Sequence, residues 1–225
     1  MGKNCLLVNA GLIEYEKAHS MQKNFLERRI NNDIPDVLIL AEHEPVITAG
    51  RGFRKENLLV SEAELEKENI RLYRIERGGD ATYHGPGQVM GYPIIDLSGY
   101  NRDVRWFVRS IEQVIMETLR DFGINGLRAE THPGVWVDGM KIASIGIAVR
   151  KWVAYHGFCL NVCPRMENFS FINPCGLDYN VLTSMERILK KKVSLEDVRE
   201  KITRHYSRIF NVRFLTARDR ETCLK

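Results

Sequence analysis

No run of eighteen apolar residues occurs in this 225-residue sequence, and a membrane-spanning helix needs about twenty. No membrane partner is therefore expected. Met1 to Ala10 has neither the length nor the cleavage chemistry of a secretory signal, so the protein is expected in the cytoplasm. The cysteines are five, Cys5, Cys159, Cys163, Cys175 and Cys223; an odd set with no small-domain spacing argues against a disulfide framework and fits a reducing compartment. Strong charge of one sign is also missing, since 33 basic side chains stand against 29 acidic ones for a net +4. Basic clusters at Arg28-Arg29, Arg51 to Lys55, Arg150-Lys151 and Lys190 to Lys192 are interspersed with acids and lack an accompanying aromatic stripe, so no nucleic-acid partner is expected. Solvated faces account for most of them, although a basic rim would speed encounter with an acidic protein partner. Internal repeats, low-complexity tracts and linkers are absent. With 44% hydrophobic and 28% charged residues, the expectation is one globular domain over 1–225 with a full hydrophobic core.

What is present reads as short strands and amphipathic helices. Cys5 to Asn9 is an apolar strand, followed by a helix from Ile13 to Ile30 with Ala18, Met21 and Phe25 on one face. Val37 to Leu40 and Val46 to Thr48 are strands separated by the polar corner Glu42-His43-Glu44-Pro45. Ser61 with Glu64 forms a capping-box signature for a short peripheral helix that includes Leu65. Val104, Phe107, Ile111, Val114, Thr118 and Phe122 share one face of a long helix that Gly123 stops. Val135 to Val137 and Lys141 to Val149 flank Asp138-Gly139, a tight-hairpin dipeptide, and Arg150-Lys151 turns the chain into Trp152 to Val162. Ser194 with Asp197 caps a last helix striped by Leu195, Val198, Ile202, Tyr206 and Ile209. Strands and helices are segregated, which predicts an α+β fold, mixed sheets covered by helices.

The densest signal is Arg77-Gly78-Gly79-Asp80-Ala81-Thr82-Tyr83-His84-Gly85-Pro86-Gly87-Gln88, whose glycines permit positive φ and close approach of a ligand to the main chain. This composition predicts a binding loop between strands at Leu72 to Ile75 and Val89 to Leu97; a plain connecting loop is the alternative. Among the cysteines, His156, Cys159 and Cys163 spell H-x2-C-x3-C. In a strand, Cys159 and Cys163 would lie about 13 Å apart at roughly 3.3 Å per residue, with His156 on the opposite face, so no metal site is expected. Cys5, Cys159 and Cys163 read as packing thiols, and Cys223 as incidental. Cys175 differs, because Asn173-Pro174 and Gly176 place it in a turn that suits an exposed nucleophile, a surface cysteine being the alternative. Its thiol would need a neighbouring cation, for which Lys141, His84 and His156 are candidates. Lys141, flanked by Ile142 and Ala143, is either partly enclosed or simply solvent-exposed beside its turn.

Four ordered motifs carry a resemblance: R-G-G-D-A-T-Y-H-G-P-G-Q from Arg77, P-G-V-W-V-D-G-M-K-I-A-S-I-G through Lys141, Y-H-G-F-C-L-N-V around His156, and I-N-P-C-G ending at Gly176. Together with Leu38 to His43 they resemble the lipoyl(octanoyl) transferase family of lipoate biosynthesis. The resemblance implies the fold shared with biotin and lipoate protein ligases. It also implies an enzyme without a cofactor that moves an octanoyl group from octanoyl-acyl carrier protein to a lysine. The acceptors would be lipoyl domains of 2-oxoacid dehydrogenases and the glycine-cleavage carrier protein. Residue by residue, Cys175 matches the acyl-thioester cysteine, and Lys141 the lysine that lowers its pKa and shuttles protons. Arg77, Gly78, Gly79, Asp80, Ala81, Thr82, Tyr83 and His84 match a substrate-binding loop. Ser144, Ile145 and Gly146 match the backbone beside the acyl group, and His156, Gly157 and Phe158 the facing wall. Two departures stand out. Asp80 occupies a position where the family often has glutamine, and is expected to point away from the thiolate; Glu44 replaces a frequent proline. An ATP-dependent ligase and a noncatalytic acyl-binding module are the rival readings.

Overall fold

The computed structural model describes residues 2–129, 132–176 and 178–215, with Cys175 described by its backbone alone. The strands are β1 (Lys3–Ile13), β2 (Asp36–His43), β3 (Val46–Ala49), β4 (Arg71–Arg74), β5 (Ala81–His84), β6 (Gln88–Asp96), β7 (Leu127–Arg128), β8 (Gly134–Val137), β9 (Met140–Arg150), β10 (Val153–Asn161) and β11 (Val212–Phe214). The helices are α1 (Tyr15–Ile30), α2 (Glu62–Lys67), α3 (Val104–Asp121), α4 (Met185–Leu189) and α5 (Leu195–Phe210). Eight strands form one mixed sheet in the order β11-β1-β2-β6-β10-β9-β8-β7, and β4-β3-β5 form a second. The predicted α+β class and mixed sheets are what the chain adopts.

Two helical layers cover the large sheet. Phe107, Ile111 and Val114 of α3 and Val198, Ile202 and Tyr206 of α5 pack with Leu38, Val89 and Leu160 on one face. On the other, α1 sets Leu26 against Val37, Ile39, Tyr92 and Tyr155. The buried stripe of α1 is Tyr15, Ala18, Gln22 and Leu26, while Met21 and Phe25 are half-buried. That is about one helical step from the expected face, because Tyr15 turns inward at the first turn. Val104 is 37% exposed and only the middle of the α3 stripe is core.

Local chemistry explains the connections. Ser61 accepts from the Glu64 N–H while the Glu64 side chain reaches back, a complete capping box for α2, and Leu65 from this helix is buried beneath the small sheet. Asp138 and Gly139, at φ 49° and 79°, make the predicted β8–β9 hairpin turn. The next turn uses Lys151 and Trp152, at φ 48° and 66°, one residue later than expected. Strand β2 runs through His43 instead of ending before Glu42. The glycine-rich stretch is not wholly loop: Ala81–His84 is a strand paired antiparallel to β3, Ala49 facing Ala81 and Val46 facing His84. No described helix is long and apolar enough to cross a membrane. Cys223 lies outside the described residues.

Candidate active site

Strand β5 divides the glycine-rich stretch by its period of two. Thr82 and His84 face a cavity of about 50 Å³, whereas Ala81 and Tyr83 face a separate apolar cluster with Ile47, Phe169 and Ile172. The Tyr83 hydroxyl accepts from Asn168 Nδ2 at 2.6 Å there. The cavity is lined by Arg77, Gly78, Gly79, Thr82, His84, Ser144, Ile145, Gly146, His156, Gly157 and Phe158, with Ile75, Met90 and Cys159 adding apolar wall. Three well-separated motifs of the sequence thus meet around one space. Asp80, Ala81 and Tyr83 do not line it, and Lys141 lies on β9 before the lining Ser144.

Close backbone packing makes this convergence possible. Gly78 N–H donates to the Ile147 carbonyl at 2.9 Å, and a Cβ on Gly146 would stand 3.0 Å from the Gly78 carbonyl. Opposite, a Cβ on Gly50 would lie 2.4 Å from the Gly79 carbonyl oxygen. A side chain at Gly50 would push the loop off its seat, and one at Gly146 would make it give by a few tenths of an ångström. On β10, His156 has φ 60° in mid-strand. The β10–β6 ladder lapses between Ala154 and Phe158, opposite Pro93, which has no N–H to offer. That irregular backbone turns the His156 ring toward the cavity and its charged neighbours.

Arg77 is buried, 7% exposed. Its guanidinium donates to the Thr48 carbonyl at 2.6 Å, to Thr48 Oγ1 and to the Gly78 carbonyl at 3.0 Å, bracing the loop from within. His43 Nδ1 lies 2.8 Å from the Ile13 carbonyl, which can only accept, so that nitrogen carries the proton. His43 Nε2 then accepts from the Tyr92 hydroxyl at 2.6 Å. Burial pushes the pKa of His43 down, and that of His84 far down, where the nearby His43 and Arg77 add to the effect. Both rings are neutral at pH 7.

A second group brings His19, Glu76 and His156 together, one ligand atom from each within 4.8 Å of the others. Glu76 Oε2 lies 3.4 Å from His19 Nε2 and 3.6 Å from His156 Nε2, while its other oxygen pairs with Lys23. Burial would raise the Glu76 pKa, but the Lys23 hydrogen bond and the charges around it hold it at about 2. His156 falls to about 3, through burial first and the adjacent His19 next. The two imidazoles stack with 20° between their planes, ring centres 5.6 Å apart. The ion pair here is Lys23 with Glu76, and the two imidazoles pack against that carboxylate as uncharged rings.

Asp80 and Asn57 connect the glycine-rich stretch to the cysteine turn. The Asp80 carboxylate accepts from Arg54 N–H at 3.1 Å, Ala81 N–H at 2.7 Å and the Asn57 side-chain amide. Asn57 in turn accepts at its carbonyl the N–H of Asn173 at 2.9 Å, next to the 3-10 turn Pro174–Gly176 that contains Cys175. On the other side Gln88 accepts from Gly85 N–H and donates to Asn161, whose amide donates to the Thr183 carbonyl. Thr183 N–H carries this second branch to the Lys141 carbonyl at 3.0 Å. Lys141 is 4% exposed, its ammonium 5.6 Å from the Trp136 ring centre, so enclosure holds and the exposed alternative falls. Nothing in the sequence pattern singled out Asn57, or Tyr15, Thr48 and Tyr92, which also line the cavity.

A sequence model of the lipoyl protein ligase A/B catalytic domain matches residues 14–207. The chain belongs to this family. An octanoyltransferase of Gloeobacter violaceus is 46% identical over 213 residues, covering 94% of this chain and 92% of that protein. The structure of a bi-partite lipoate protein ligase and its E2 lipoyl domain from Thermoplasma acidophilum superimposes with a TM-score of 0.71 at 18% identity, over 99% of this chain and 90% of that one. A biotin protein ligase from Aquifex aeolicus gives a TM-score of 0.52 at 12% identity, over 94% and 70%. These two structures establish the shared fold, as the motifs implied.

Asp80→Ala would orphan three donors, two of them backbone N–H groups, and is expected to cost about 1–3 kcal/mol in urea unfolding, with a larger proportional loss of turnover; unchanged unfolding would show the carboxylate to be dispensable. Acid should weaken the fold in a defined window. The neutral His156 ring contributes stability that is complete above its ordinary 6.5 and is lost as pH falls toward about 3, and Glu76 adds a loss below its ordinary 4.5 toward about 2. Unfolding free energy measured against pH should decline across that window, and His156→Gln should flatten the decline without abolishing it, because His19, His43 and His84 share its sign.

Proposed function

We propose that the protein is an octanoyltransferase that acts through a Cys175 thioester, taking the acyl group from octanoyl-acyl carrier protein and giving it to a lysine of a lipoyl domain. The observation that carries this reading is the relationship itself. Relatives with identities of 46% and 42% over more than nine-tenths of the chain are octanoyltransferases, whereas the ligases share only the fold. The arrangement of motifs supports it: the cysteine-bearing turn and the segment of a buried lysine are each tied by hydrogen bonds to the glycine-rich stretch that lines an apolar cavity.

The chemistry balances without an energy source. The Cys175 thiolate attacks the donor's thioester carbonyl carbon, and collapse of the tetrahedral oxyanion breaks the bond to the carrier sulfur. Lys141, as ammonium, favours the thiolate and passes a proton to the departing carrier thiolate. Now a neutral amine, it takes the proton of the acceptor lysine as that nitrogen attacks the enzyme's thioester. The C–N bond forms, the C–S bond to Cys175 breaks, and both groups return to their starting state. The octanoyl chain would lie against Ile75, Met90, Ile145 and Phe158; six or so methylenes at about 0.8 kcal/mol each give roughly 5 kcal/mol, enough to reject much shorter chains but not close neighbours. Acceptors of this chemistry are lipoyl domains of 2-oxoacid dehydrogenases and the glycine-cleavage carrier protein.

The test is transfer from octanoyl-carrier protein to a lipoyl domain with no nucleotide present. Wild type should turn over, and Lys141→Met should lose about 10²-fold or more in kcat while unfolding normally, since both the cation and the proton relay are removed. An absolute requirement for ATP would favour the ligase, and near-normal turnover by the folded variant would remove Lys141 from the mechanism.

A further inference from the structure

Between β3 and the 3-10 turn Lys55–Asn57, the segment from Gly50 to Asn57 is bound to the rim of the acyl cavity rather than hanging free. Its N–H groups at Gly50, Arg51 and Gly52 donate to the carbonyls of Asp80, Arg77 and Gly79 at 3.3, 3.0 and 3.0 Å. Arg54 N–H takes the Asp80 carboxylate, and Asn57 accepts from Asn173 beside the cysteine turn. Every backbone anchor thus points inward, and the side chains of Arg51, Arg54 and Lys55 are left exposed on the outside. Arg74 on β4 joins them, its guanidinium 5.1 Å from the ring centre of Phe53.

These cations are unlike many others in the molecule. Arg29, Arg120, Arg150, Arg199 and Arg204 each reach a carboxylate. Among the described residues no acidic side chain forms an ion pair with Arg51, Arg54 or Lys55, and Glu56 is the single acid in the segment. Four cations held in fixed register at the mouth of a cavity make a patch whose field is directed at whatever approaches that mouth. Leaving them unneutralised costs self-repulsion, which a partner of opposite sign would relieve.

We propose that Arg51, Arg54, Lys55 and Arg74 form the docking surface for the acyl donor, an acidic protein domain that presents its thioester on a flexible arm. This rests on the reading of the protein as a transferase from a carrier-borne thioester. A small free thioester would reach the cavity past this rim without needing it, while a globular carrier must rest its own surface somewhere within arm's length of Cys175. The anchored segment abuts the cysteine turn, and it is cationic. Charge complementarity at such a rim governs encounter and KM more than the chemical step.

The experiment compares wild type with the triple variant R51E/R54E/K55E, using octanoyl-carrier protein and octanoyl-coenzyme A as alternative donors and a lipoyl domain as acceptor. For the carrier donor, KM should rise by roughly tenfold or more with kcat little changed, and the salt dependence of wild-type kcat/KM should vanish. The coenzyme A thioester should be used equally well by both proteins. The neutral variant R51Q/R54Q/K55Q should show a smaller rise in the same direction, which keeps the test valid if charge reversal disturbs folding. Unchanged KM and salt dependence with the carrier would overturn the docking surface while leaving the transferase reading intact. An equal loss with octanoyl-coenzyme A would also overturn it, pointing to a phosphate subsite or to damage within the cavity. Wild type that accepts the octanoyl group from neither donor would overturn the transferase reading, and the docking surface with it.

Discussion

The contact on which the site depends is backbone against backbone. The chain around Gly79 is pressed between the turn at Gly50 and the strand at Gly146, with carbonyl oxygens 2.4 and 3.0 Å from where side-chain carbons would be. This leaves room for two main chains and nothing else. The seat brings Arg77 inward, where it braces Thr48 and its own loop, and it carries Thr82 and His84 to the cavity on alternate positions of β5. It also ties the Gly50–Asn57 segment to the rim, so that the interior offers a largely apolar wall while the exterior displays positive charge.

Burial sets the protonation states around that seat. His43, His84 and His156 are held neutral at physiological pH mainly by the loss of water. Glu76 stays ionised despite burial because Lys23 pairs with it. The cavity is consequently walled by the uncharged rings of His84 and His156, with the Arg77 guanidinium engaged in carbonyl contacts. The apolar wall of Ile75, Met90, Ile145 and Phe158 meets little exposed charge there, and the segments of Lys141 and Cys175 are each tied to the glycine-rich stretch, one through Gln88 and Asn161 and the other through Asp80 and Asn57.

Much of this was legible in the residues. Asp138-Gly139, Ser61 with Glu64 and Ser194 with Asp197 act within a few positions of themselves, and each formed the turn or cap expected of it. Three of the four motifs, those of Arg77, Ser144 and His156, line one cavity. What sequence could not disclose depends on partners far along the chain. Strand β5 exists because β3, more than thirty residues earlier, offers it a ladder, and its alternation then takes Ala81 and Tyr83 away from the cavity. The roles of Asn57 and Tyr15 come from such distant meetings too, as does the burial of Lys141 beneath Trp136, which a hairpin-flanking lysine does not advertise. The stripe of α1 was misplaced because Met21 and Phe25 are the more hydrophobic residues, yet Tyr15, Gln22 and Leu26 are the ones turned to the sheet.

The central claim is that acyl transfer passes through a covalent thioester on Cys175. Incubation of the protein with octanoyl-carrier protein, without nucleotide or acceptor, followed by intact-mass and peptide-mass spectrometry tests it most directly. The account predicts one octanoyl adduct, mapped to the Asn173–Gly176 peptide, sensitive to hydroxylamine and discharged when a lipoyl domain is added. An adduct on Cys159 or Cys163, or none at all from a preparation that still transfers octanoate, would contradict it.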